Sequence, residues 1–244
     1  MCLVIRREDS GLKNYAHLGT GNYHPRTARQ YTDYGLFTAD TEICKDVHAV
    51  VLQLTSLGKV IKLHNLLQSP FTLVKGVHER IERETEAARK GKPARIVAKM
   101  NSLVESETIT RLYAASQAGV KVDLIVRGMC SLRPGVPGLS ENIRVRSIIG
   151  RFLEHHRVFC FHHDGNPEVW LSSADWMERN LFRRVEIAFP LKDKKLRARV
   201  LDHLDAYLAD TAQSWILQSD GSYVRAEVPE SGALKPVQLR LMEE

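Results

Sequence analysis

Two stretches of the sequence decide the fold: Arg151-Phe-Leu-Glu-His-His-Arg-Val-Phe-Cys-Phe161 and Val169-Trp-Leu-Ser-Ser-Ala-Asp-Trp176. Each contains an apolar run of strand length, which predicts strands near 156–161 and 168–172. In the first stretch a histidine, His155, stands at the start of the apolar run, and in the second a Ser-Ser-x-Asp turn closes it. A sheet that presents an imidazole, guanidinium groups and hydroxyl donors at one edge is suited to phosphate chemistry.

The remainder of the chain alternates predicted strands with predicted helices. A strand at 94–99, a helix that Gly119 ends and a strand at 121–126 form one unit, and this spacing implies a parallel pair with a right-handed crossover. Ser102-x-x-Glu105 is typical of a capping box at the start of that helix. The pattern therefore predicts a mixed α/β fold. Further strands are expected at 2–5 (buried), 14–18, 143–149, 184–189 and 215–225, and further helices at 41–57, 77–90 and 193–209.

A polar segment at 58–70, which ends in Ser69-Pro70, is the predicted boundary between two domains. Residues 1–60 are expected to form the C-terminal part of a first domain whose front strands are missing, which would leave a sheet edge unpaired. Residues 66–226 are expected to form a nearly complete second domain, and 227–244 a tail with few signals of order.

The composition is that of an ordinary globular protein with an excess of positive charge. The 244 residues include 35 basic and 29 acidic side chains, and the net charge of +6 suits a polyanion such as nucleotide, polyphosphate or nucleic acid. Nucleic acid is the least favoured of these partners. Aromatic residues make up only 7% of the chain and do not alternate with basic ones, as a base-stacking platform requires.

No segment of the sequence indicates export or insertion into a membrane. The longest apolar runs have strand length, far below the ~20 residues of a membrane-spanning helix. The apolar start Met1-Cys-Leu-Val-Ile5 is too short for a secretory signal. Four cysteines without Cys-x-x-Cys spacing are expected to be free thiols in a reducing compartment. The predicted location is therefore the cytoplasm.

His155 is the first candidate for chemistry, although a lone histidine at a strand start is more often a structural hydrogen-bonding group. Arg157 lies two residues further on and should face the same side of the strand. Arg127 follows a predicted parallel strand, and ligands collect at the carboxyl ends of strands in such sheets. Together with the Ser172-Ser173-x-Asp175 turn, these groups could offer an imidazole, two guanidiniums and hydroxyl donors to one phosphoryl group.

Three further patterns leave two interpretations open. Gly19-Thr-Gly-Asn22, which includes Gly21, is either a plain glycine turn or, through its backbone N–H groups, a small anion-binding nest. Tyr31 and Tyr34 either stack on a base or pack in the core. In Arg183-Arg184 one arginine is expected to be solvated, and the other either reaches the phosphate site or also stays in solvent.

A metal site among the clustered histidines is not expected. The stretch 155–163 contains four histidines and Cys160, but residues seven apart in an extended strand are separated by roughly 23 Å. Such residues cannot share one ion. His162 and His163, followed by Asp164-Gly-Asn166, are better explained as a polar hairpin tip.

Several longer runs, which together cover nearly the whole chain, resemble one known family. They are similar to the C-terminal half of bacterial polyphosphate kinases of the first type. The runs are His17-Leu-Gly-Thr-Gly-Asn-Tyr23, Tyr31-Thr-Asp-Tyr-Gly-Leu-Phe-Thr-Ala-Asp40, Lys99-Met-Asn-Ser-Leu103, Leu124-Ile-Val-Arg-Gly128, Leu132-Arg-Pro-Gly-Val-Pro-Gly-Leu-Ser-Glu-Asn-Ile-Arg144 and Leu171-Ser-Ser-Ala-Asp-Trp176.

The resemblance implies phospholipase-D-like α/β domains, one partial and one nearly complete, with mixed sheets flanked by helices. It also implies an ATP-binding kinase, a transferase that moves the terminal phosphate of ATP reversibly to inorganic polyphosphate, with Mg²⁺ and through a phosphorylated histidine. That nucleophile belongs to a His-x-Lys segment immediately before the strand that begins at Met1, so this chain is expected to lack it. The magnesium-associated arginines would also lie upstream. Members are expected to be homo-oligomers that can associate peripherally with the inner membrane.

The family roles fall on particular residues of this sequence. His155 matches the second histidine of the family, which assists phosphoryl transfer as an acid/base or by binding phosphate. Tyr31 matches the tyrosine that packs on adenine, and Arg127 and Arg184 match arginines that hold the nucleotide phosphates. The expected supporting residues are Arg157, Ser172, Ser173, Asp175, Gly21 and Asn22.

The expected function is thus that of the C-terminal catalytic portion of a polyphosphate kinase. The alternative is a catalytically inactive nucleotide- or polyphosphate-binding fragment, as loss of the nucleophile would produce. A phospholipase-D-like phosphodiesterase that uses His155 itself ranks last. Such enzymes ordinarily pair two His-x-Lys motifs, whereas here the motif is His155-x-Arg157.

Overall fold

The computed structural model of the protein describes residues 1–9, 11–55, 62–228 and 236–243. The strands are β1 (Cys2–Glu8), β2 (Gly11–Gly19), β3 (Tyr31–Thr32), β4 (Gly35–Thr38), β5 (Leu67–Ser69), β6 (Arg95–Met100), β7 (Lys121–Val126), β8 (Ile143–Ile148), β9 (Leu153–Glu154), β10 (Arg157–Phe161), β11 (Glu168–Ser172), β12 (Glu186–Pro190), β13 (Ser214–Leu217) and β14 (Tyr223–Arg225). The α-helices are α1 (Thr41–Thr55), α2 (Leu73–Arg89), α3 (Ser106–Gln117), α4 (Glu178–Phe182), α5 (Lys194–Ala209) and α6 (Val237–Leu241).

The largest sheet formed by the described residues has nine strands, in the order β14-β13-β8-β7-β6-β10-β11-β12-β5. Its centre is parallel, because β6, β7 and β8 run the same way, and the flanking pairs are antiparallel. The predicted parallel pair around α3 is therefore confirmed. So is the hairpin of β10 and β11, in which Arg157 pairs with Ser172. The predicted class, α/β with mixed sheets flanked by helices, is confirmed.

Both faces of this sheet are covered, which explains its continuous apolar strands. All five residues of β10 are buried, and their side chains alternate between the two sides. Phe159 and Phe161 belong to a core with α2 and α3, whereas Val158 and Cys160 belong to a core with α1 and α5. The two cores hold the strand that carries Arg157 and follows His155 in a fixed position.

The N-terminal part of the chain forms a smaller sheet in the order β1-β2-β4. A third, two-stranded sheet joins it to the rest of the molecule, since β3 pairs in parallel with β9. In this pair Tyr31 lies opposite Leu153 and Thr32 opposite Glu154. The short pairing brings the segment after β3 next to the segment before β10.

One local prediction needs correction. The strand at 2–5 is present but not buried, because Val4 and Ile5 are each half exposed. After Pro25 the chain forms a 3₁₀ turn at Thr27–Arg29. In α5, Val200, Leu204 and Tyr207 are buried, whereas Leu196 is exposed.

The chain beyond residue 226 is described only in part. Part of it, 229–235 and residue 244, lies outside the described residues. Helix α6 follows, and its residues Val237 and Gln238 are buried. Positions 56 and 57 of the helix predicted at 41–57 likewise lie outside the described residues. Residues 58–61 of the predicted boundary segment at 58–70 also lie outside them. Among the described helices, none is long and apolar enough to cross a membrane.

The cap of α3 differs from the predicted capping box. Glu105 is itself the N-cap, and its carboxylate accepts hydrogen bonds from the backbone N–H groups of Glu107 and Thr108 at 3.1 and 2.7 Å. Burial alone would raise the pKa of Glu105, but the hydrogen bonds from Thr108 and Glu107 outweigh burial and lower it. The charged carboxylate is therefore favoured at this helix start.

We predict that Glu105→Ala lowers the free energy of unfolding by about 1–2 kcal/mol, because it leaves two helix N–H groups without an acceptor. Urea denaturation followed by circular dichroism measures the change. Glu107→Ala, an exposed position on the same helix, is the control and should have little effect. Equal losses in the two variants would contradict the capping role.

Candidate active site

The site forms where β9 ends and β10 begins. Asp33 and His155 directly follow the paired residues Thr32 and Glu154, and their side chains meet. Nδ1 of His155 lies 3.0 Å from both carboxylate oxygens of Asp33. The ring of Tyr31 lies 4.8 Å from the imidazole, centroid to centroid. A histidine oriented by a carboxylate and bordered by an aromatic ring is therefore the centre of the site.

The neighbours of His155 define the state of its ring. Asp33 can only accept a hydrogen bond, and Arg157 can only donate one; its Nη1 lies 3.1 Å from Nε2 of His155 and 3.4 Å from Nδ1. We therefore assign the proton of the neutral ring to Nδ1 and the lone pair to Nε2. A second donor, the Thr20 hydroxyl, binds Asp33 Oδ1 at 2.7 Å and fixes the carboxylate.

Gly21 acts by its lack of a side chain. A Cβ atom at Gly21 would lie 2.0 Å from Asp33 Oδ2, so any other residue would displace the carboxylate that orients His155. Asn22, the other supporting residue predicted in this turn, is exposed. The turn therefore shapes the site through Thr20 and Gly21, in contact with Asp33.

Arg157 is more fully engaged than the sequence suggested. Its Nε and Nη2 donate to the two oxygens of Asp175 at 3.1 and 2.9 Å, and Nη1 faces the Thr20 carbonyl and His155. The side chain is 7% exposed. The guanidinium is thus bound on all sides, and its position supports His155 instead of offering a free fork to phosphate.

Arg127 keeps one nitrogen of its guanidinium group free of hydrogen bonds to the described residues. Its Nε and Nη2 donate to Asn101 Oδ1 at 3.2 and 2.8 Å, and Nε also reaches the carbonyl of Glu154 at 3.1 Å. Its Nη1 makes no hydrogen bond to the described residues. Asn101 in turn donates to the carbonyl of His155 at 3.1 Å and contacts Asp175. Arg127 is therefore fixed along one side and can present the other to a phosphate.

The remaining predicted residues are not brought to the imidazole. Ser172 is fully buried and bonds the carbonyl of Ile187 at 3.0 Å, and Ser173 bonds Glu186 at 2.5 Å, so both hold the turn after β11. Arg184 is exposed just before β12 and forms no hydrogen bond or ion pair within the described part of the chain. Its role in phosphate binding stays a prediction.

A buried polar network lies directly behind the site. The Lys99 ammonium is 3.0 Å from Glu154 Oε2, with the two side chains 1% and 2% exposed. Glu154 also accepts hydrogen bonds from Thr32 at 3.2 Å and from Gln238 at 2.6 Å. Burial lowers the pKa of Lys99, and Glu154 opposes that change. The network ties β3, β6, β9 and α6 together beneath His155.

A cavity of about 610 Å³ opens beside these groups. Its wall includes Tyr31 and Arg127, together with the loop that leads from β8 into β9. A volume of this size is typical of small-molecule sites. No cluster of three or more histidine, cysteine or acidic side chains that could hold a metal ion occurs among residues 1–9, 11–55, 62–228 and 236–243.

The sequence analysis missed Asp33, Thr20, Asn101 and Gln238. Asn101 could have been found, since it follows β6 at the same sheet edge as Arg127 and the rule for carboxyl ends of strands applies equally. Asp33 gave no such signal. It lies 122 residues before His155, and only the two-residue pairing of β3 with β9 joins them.

The fold and the site together define an α/β protein with a carboxylate-oriented histidine next to an arginine that borders a cavity. Comparison with known sequences gives the family. Residues 66–236 match the model of polyphosphate kinase C-terminal domain 2, and residues 1–60 match polyphosphate kinase C-terminal domain 1. The chain belongs to the polyphosphate kinase family.

Individual relatives agree with this assignment. A polyphosphate kinase of Burkholderia ambifaria (strain AMMD) is 59% identical over 99% of this chain, and one of Neisseria meningitidis serogroup C is 61% identical over 94%. The crystal structure of polyphosphate kinase from Porphyromonas gingivalis matches with a TM-score of 0.90 and 38% identity, over 95% of this chain and 36% of that one. The chain spans about a third of the length of the curated relatives, 36% and 34% respectively.

We predict that Asp175→Ala lowers the free energy of unfolding by about 3–5 kcal/mol, because it leaves the buried guanidinium of Arg157 without its partner. Guanidinium chloride denaturation measures the loss. Glu79→Ala, which breaks an exposed ion pair with Lys75, is the control and should cost little. A loss at Asp175 as small as that at Glu79 would contradict the structural role of the pair.

His156, the neighbour of His155, makes stability depend on pH. It is 3% exposed, and burial lowers its pKa well below the ordinary value, with the Lys99 ammonium lowering it further. The unfolded chain gains a proton as the pH falls below the ordinary histidine value of ~6.5, whereas the folded chain does not. Stability must therefore fall with pH in this range.

We predict that, between pH 6.5 and pH 5.5, the protein loses ~1 kcal/mol more unfolding free energy than His156→Gln does. Urea melts at the two pH values measure the difference. Both proteins keep His17 and His78, whose pKa values burial also lowers, so the comparison isolates His156. Parallel losses would show that His156 takes up a proton inside the folded protein.

Proposed function

We propose that this chain supplies the C-terminal catalytic portion of a polyphosphate kinase. The reaction is the reversible transfer of the terminal phosphate of ATP to inorganic polyphosphate through a phosphohistidine. The observation that carries the proposal is the contact set of His155: Asp33 at Nδ1, Arg157 Nη1 against both ring nitrogens, and Arg127 joined to it through Asn101.

His155 has the geometry of an acid/base group. Asp33 holds Nδ1 and fixes the orientation of the ring, while Arg157 Nη1 lies 3.1 Å from Nε2. Proton exchange at Nε2 therefore requires that a bound phosphate oxygen replaces Arg157 Nη1 at this nitrogen. Nε2 would accept a proton from a phosphate oxygen in one direction of transfer and return it in the other. Arg157 limits the ring from the opposite side, at 3.1 Å from Nε2. A fixed imidazole of this kind avoids the loss of rate that a mobile ring would cause.

The nucleotide contacts follow from the cavity. Arg127 presents free N–H groups to the phosphates, and Tyr31, on the same wall, offers a ring on which adenine can pack. Arg184 is proposed as a further phosphate ligand on family resemblance alone. The acidic side chains at the centre, Asp33 and Asp175, are engaged by His155 and Arg157 and do not form a magnesium site. The Mg²⁺ of the reaction is therefore proposed to arrive with ATP.

The division into a partial first domain at 1–60, a second domain at 66–226 and a tail at 227–244 is part of this proposal. So are ATP, ADP and inorganic polyphosphate as partners, homo-oligomer formation, and a cytoplasmic location with peripheral association at the inner membrane. The two matched family models support the division, since one matches residues 1–60 and the other matches residues 66–236.

We predict that Arg127→Ala weakens ATP binding by about 10- to 100-fold, because a charge-assisted phosphate contact is lost. Isothermal titration calorimetry measures the affinity. Arg89→Ala, an exposed ion-paired arginine on α2, is the control and should bind as the unchanged protein does. Unaltered affinity in Arg127→Ala, with a native circular dichroism spectrum, would contradict the phosphate role.

The same preparation tests the role of His155. After incubation with γ-³²P-labelled ATP, His155 should carry no acid-labile phosphate, because it is assigned as an acid/base and not as the nucleophile. Robust labelling that Glu105→Ala retains and His155→Ala abolishes would overturn the mechanism and favour a nucleophilic His155.

A further inference from the structure

The cavity beside Arg127 carries a second cation, Arg151. The residues along its wall are Gln30, Tyr31, Arg127, Ile148, Ile149, Gly150, Arg151, Phe152 and Leu153. Two of them are arginines, and none of these described residues is acidic. An open cavity with two positive charges and no carboxylate in its wall attracts anions, and it attracts extended anions most strongly.

Two other cavities show that this imbalance is not general. The cavity near the β10–β11 hairpin has Arg83, Lys90 and Lys92 in its wall, but Glu84, Glu86 and Asp164 balance them. A groove along β8 and β13 places Glu141 beside its two arginines. Positive charge without compensation is thus a property of the wall that Arg127 and Arg151 share.

Among the described residues, Arg151 has no carboxylate partner that would neutralise it. Its side chain is exposed and forms no ion pair with a carboxylate in the described part of the chain. The guanidinium carbon lies 5.5 Å from the centroid of the Phe152 ring. A cation resting on an aromatic face keeps its edge donors available, and this suits an arginine that binds phosphate.

The loop that carries Arg151 is fixed from behind. The side-chain amide of Gln238 binds both the N–H and the carbonyl of Phe152, at 3.0 and 2.9 Å, and Ile149 N–H donates to the Gln213 carbonyl at 3.2 Å. A Cβ atom at Gly150 would lie only 2.5 Å from Gln238 Oε1. The backbone on both sides of Arg151 is therefore anchored, and binding there does not have to order a free loop.

We propose that Arg151 binds a phosphate of inorganic polyphosphate further along the chain than the phosphate that Arg127 holds. This inference rests on the proposed function and names the substrate feature that the same site recognises, the length of the phosphate chain. In a phosphohistidine mechanism one nucleophile meets two substrates in turn, so nucleotide and polyphosphate must enter the same region. ATP places its base against Tyr31, whereas a long polyphosphate continues along the wall to Arg151.

We predict that Arg151→Ala weakens the binding of long-chain polyphosphate by about three- to tenfold at low salt. Binding of ATP and of tripolyphosphate should change by less than about twofold, because the proposal assigns their phosphates to Arg127 and only the longer chain to Arg151. The dependence of log affinity on log salt should flatten by roughly one counterion for the long chain only. Calorimetry or filter retention with the three ligands supplies these numbers.

Arg225→Ala is the matched control. Arg225 is also exposed and also lies over an aromatic ring, that of Trp215 at 5.2 Å, but it is not part of the cavity wall. It should leave all three affinities unchanged. Circular dichroism establishes that each variant keeps the native fold, and Arg151→Lys, which retains the charge, should recover part of the loss.

The outcomes separate the two proposals. Loss in Arg127→Ala but none in Arg151→Ala would overturn the chain-length subsite and leave the proposed function standing. Equal losses for tripolyphosphate and the long chain in Arg151→Ala would place Arg151 at the first phosphate and also overturn the subsite. If the unchanged, folded protein binds none of the phosphate ligands, the proposed function fails and the subsite fails with it.

Discussion

The pairing of β3 with β9 is the contact on which the site depends. It is only two residues long on each side, yet it places Asp33 against His155, Thr32 against Glu154 and Tyr31 along the cavity. Two residue pairs would contribute little stability alone. They are held because the Glu154 carboxylate binds Lys99, Thr32 and Gln238 at the same time. A short pairing can be fixed in this way when a fully satisfied buried network lies beneath it.

The charges of the site are arranged in layers. Lys99 and Glu154 form the buried layer, and Arg157 and Asp175 form the next. Arg127 lies nearer the surface, and its Nη1 makes no hydrogen bond to the described residues. In the inner layers each cation has its carboxylate, which is the condition for burying charge without a large penalty. Of the described cations at the site, Arg127 and Arg151 in the cavity wall have no carboxylate bound to them. A negatively charged ligand can take the place of the carboxylate there.

The predictable part of the structure followed from local rules. The alternation of side chains along β10 correctly placed Arg157 on the side of His155, and the hairpin correctly brought Asp175 to Arg157. The position of Arg127 followed from the parallel unit around α3, because the residue comes directly after the carboxyl end of β7. Asp33 and Gln238 were not predicted. Each contacts the site through a segment distant in sequence, Asp33 at His155 and Gln238 at Glu154, and the spacing of residues gives no signal of such contacts. Arg184 shows the converse limit, since a family match alone does not tell where an exposed side chain points.

Helix α6 has a consequence for the timing of synthesis. Gln238 binds Glu154 across 84 residues of sequence. A ribosome that adds ~5–20 residues per second needs roughly 4–17 s to make that interval. During this time the segment before His155 is complete but lacks its amide partner. Since β14 ends at Arg225, every described strand is synthesised before the residue that anchors the loop beside the cavity.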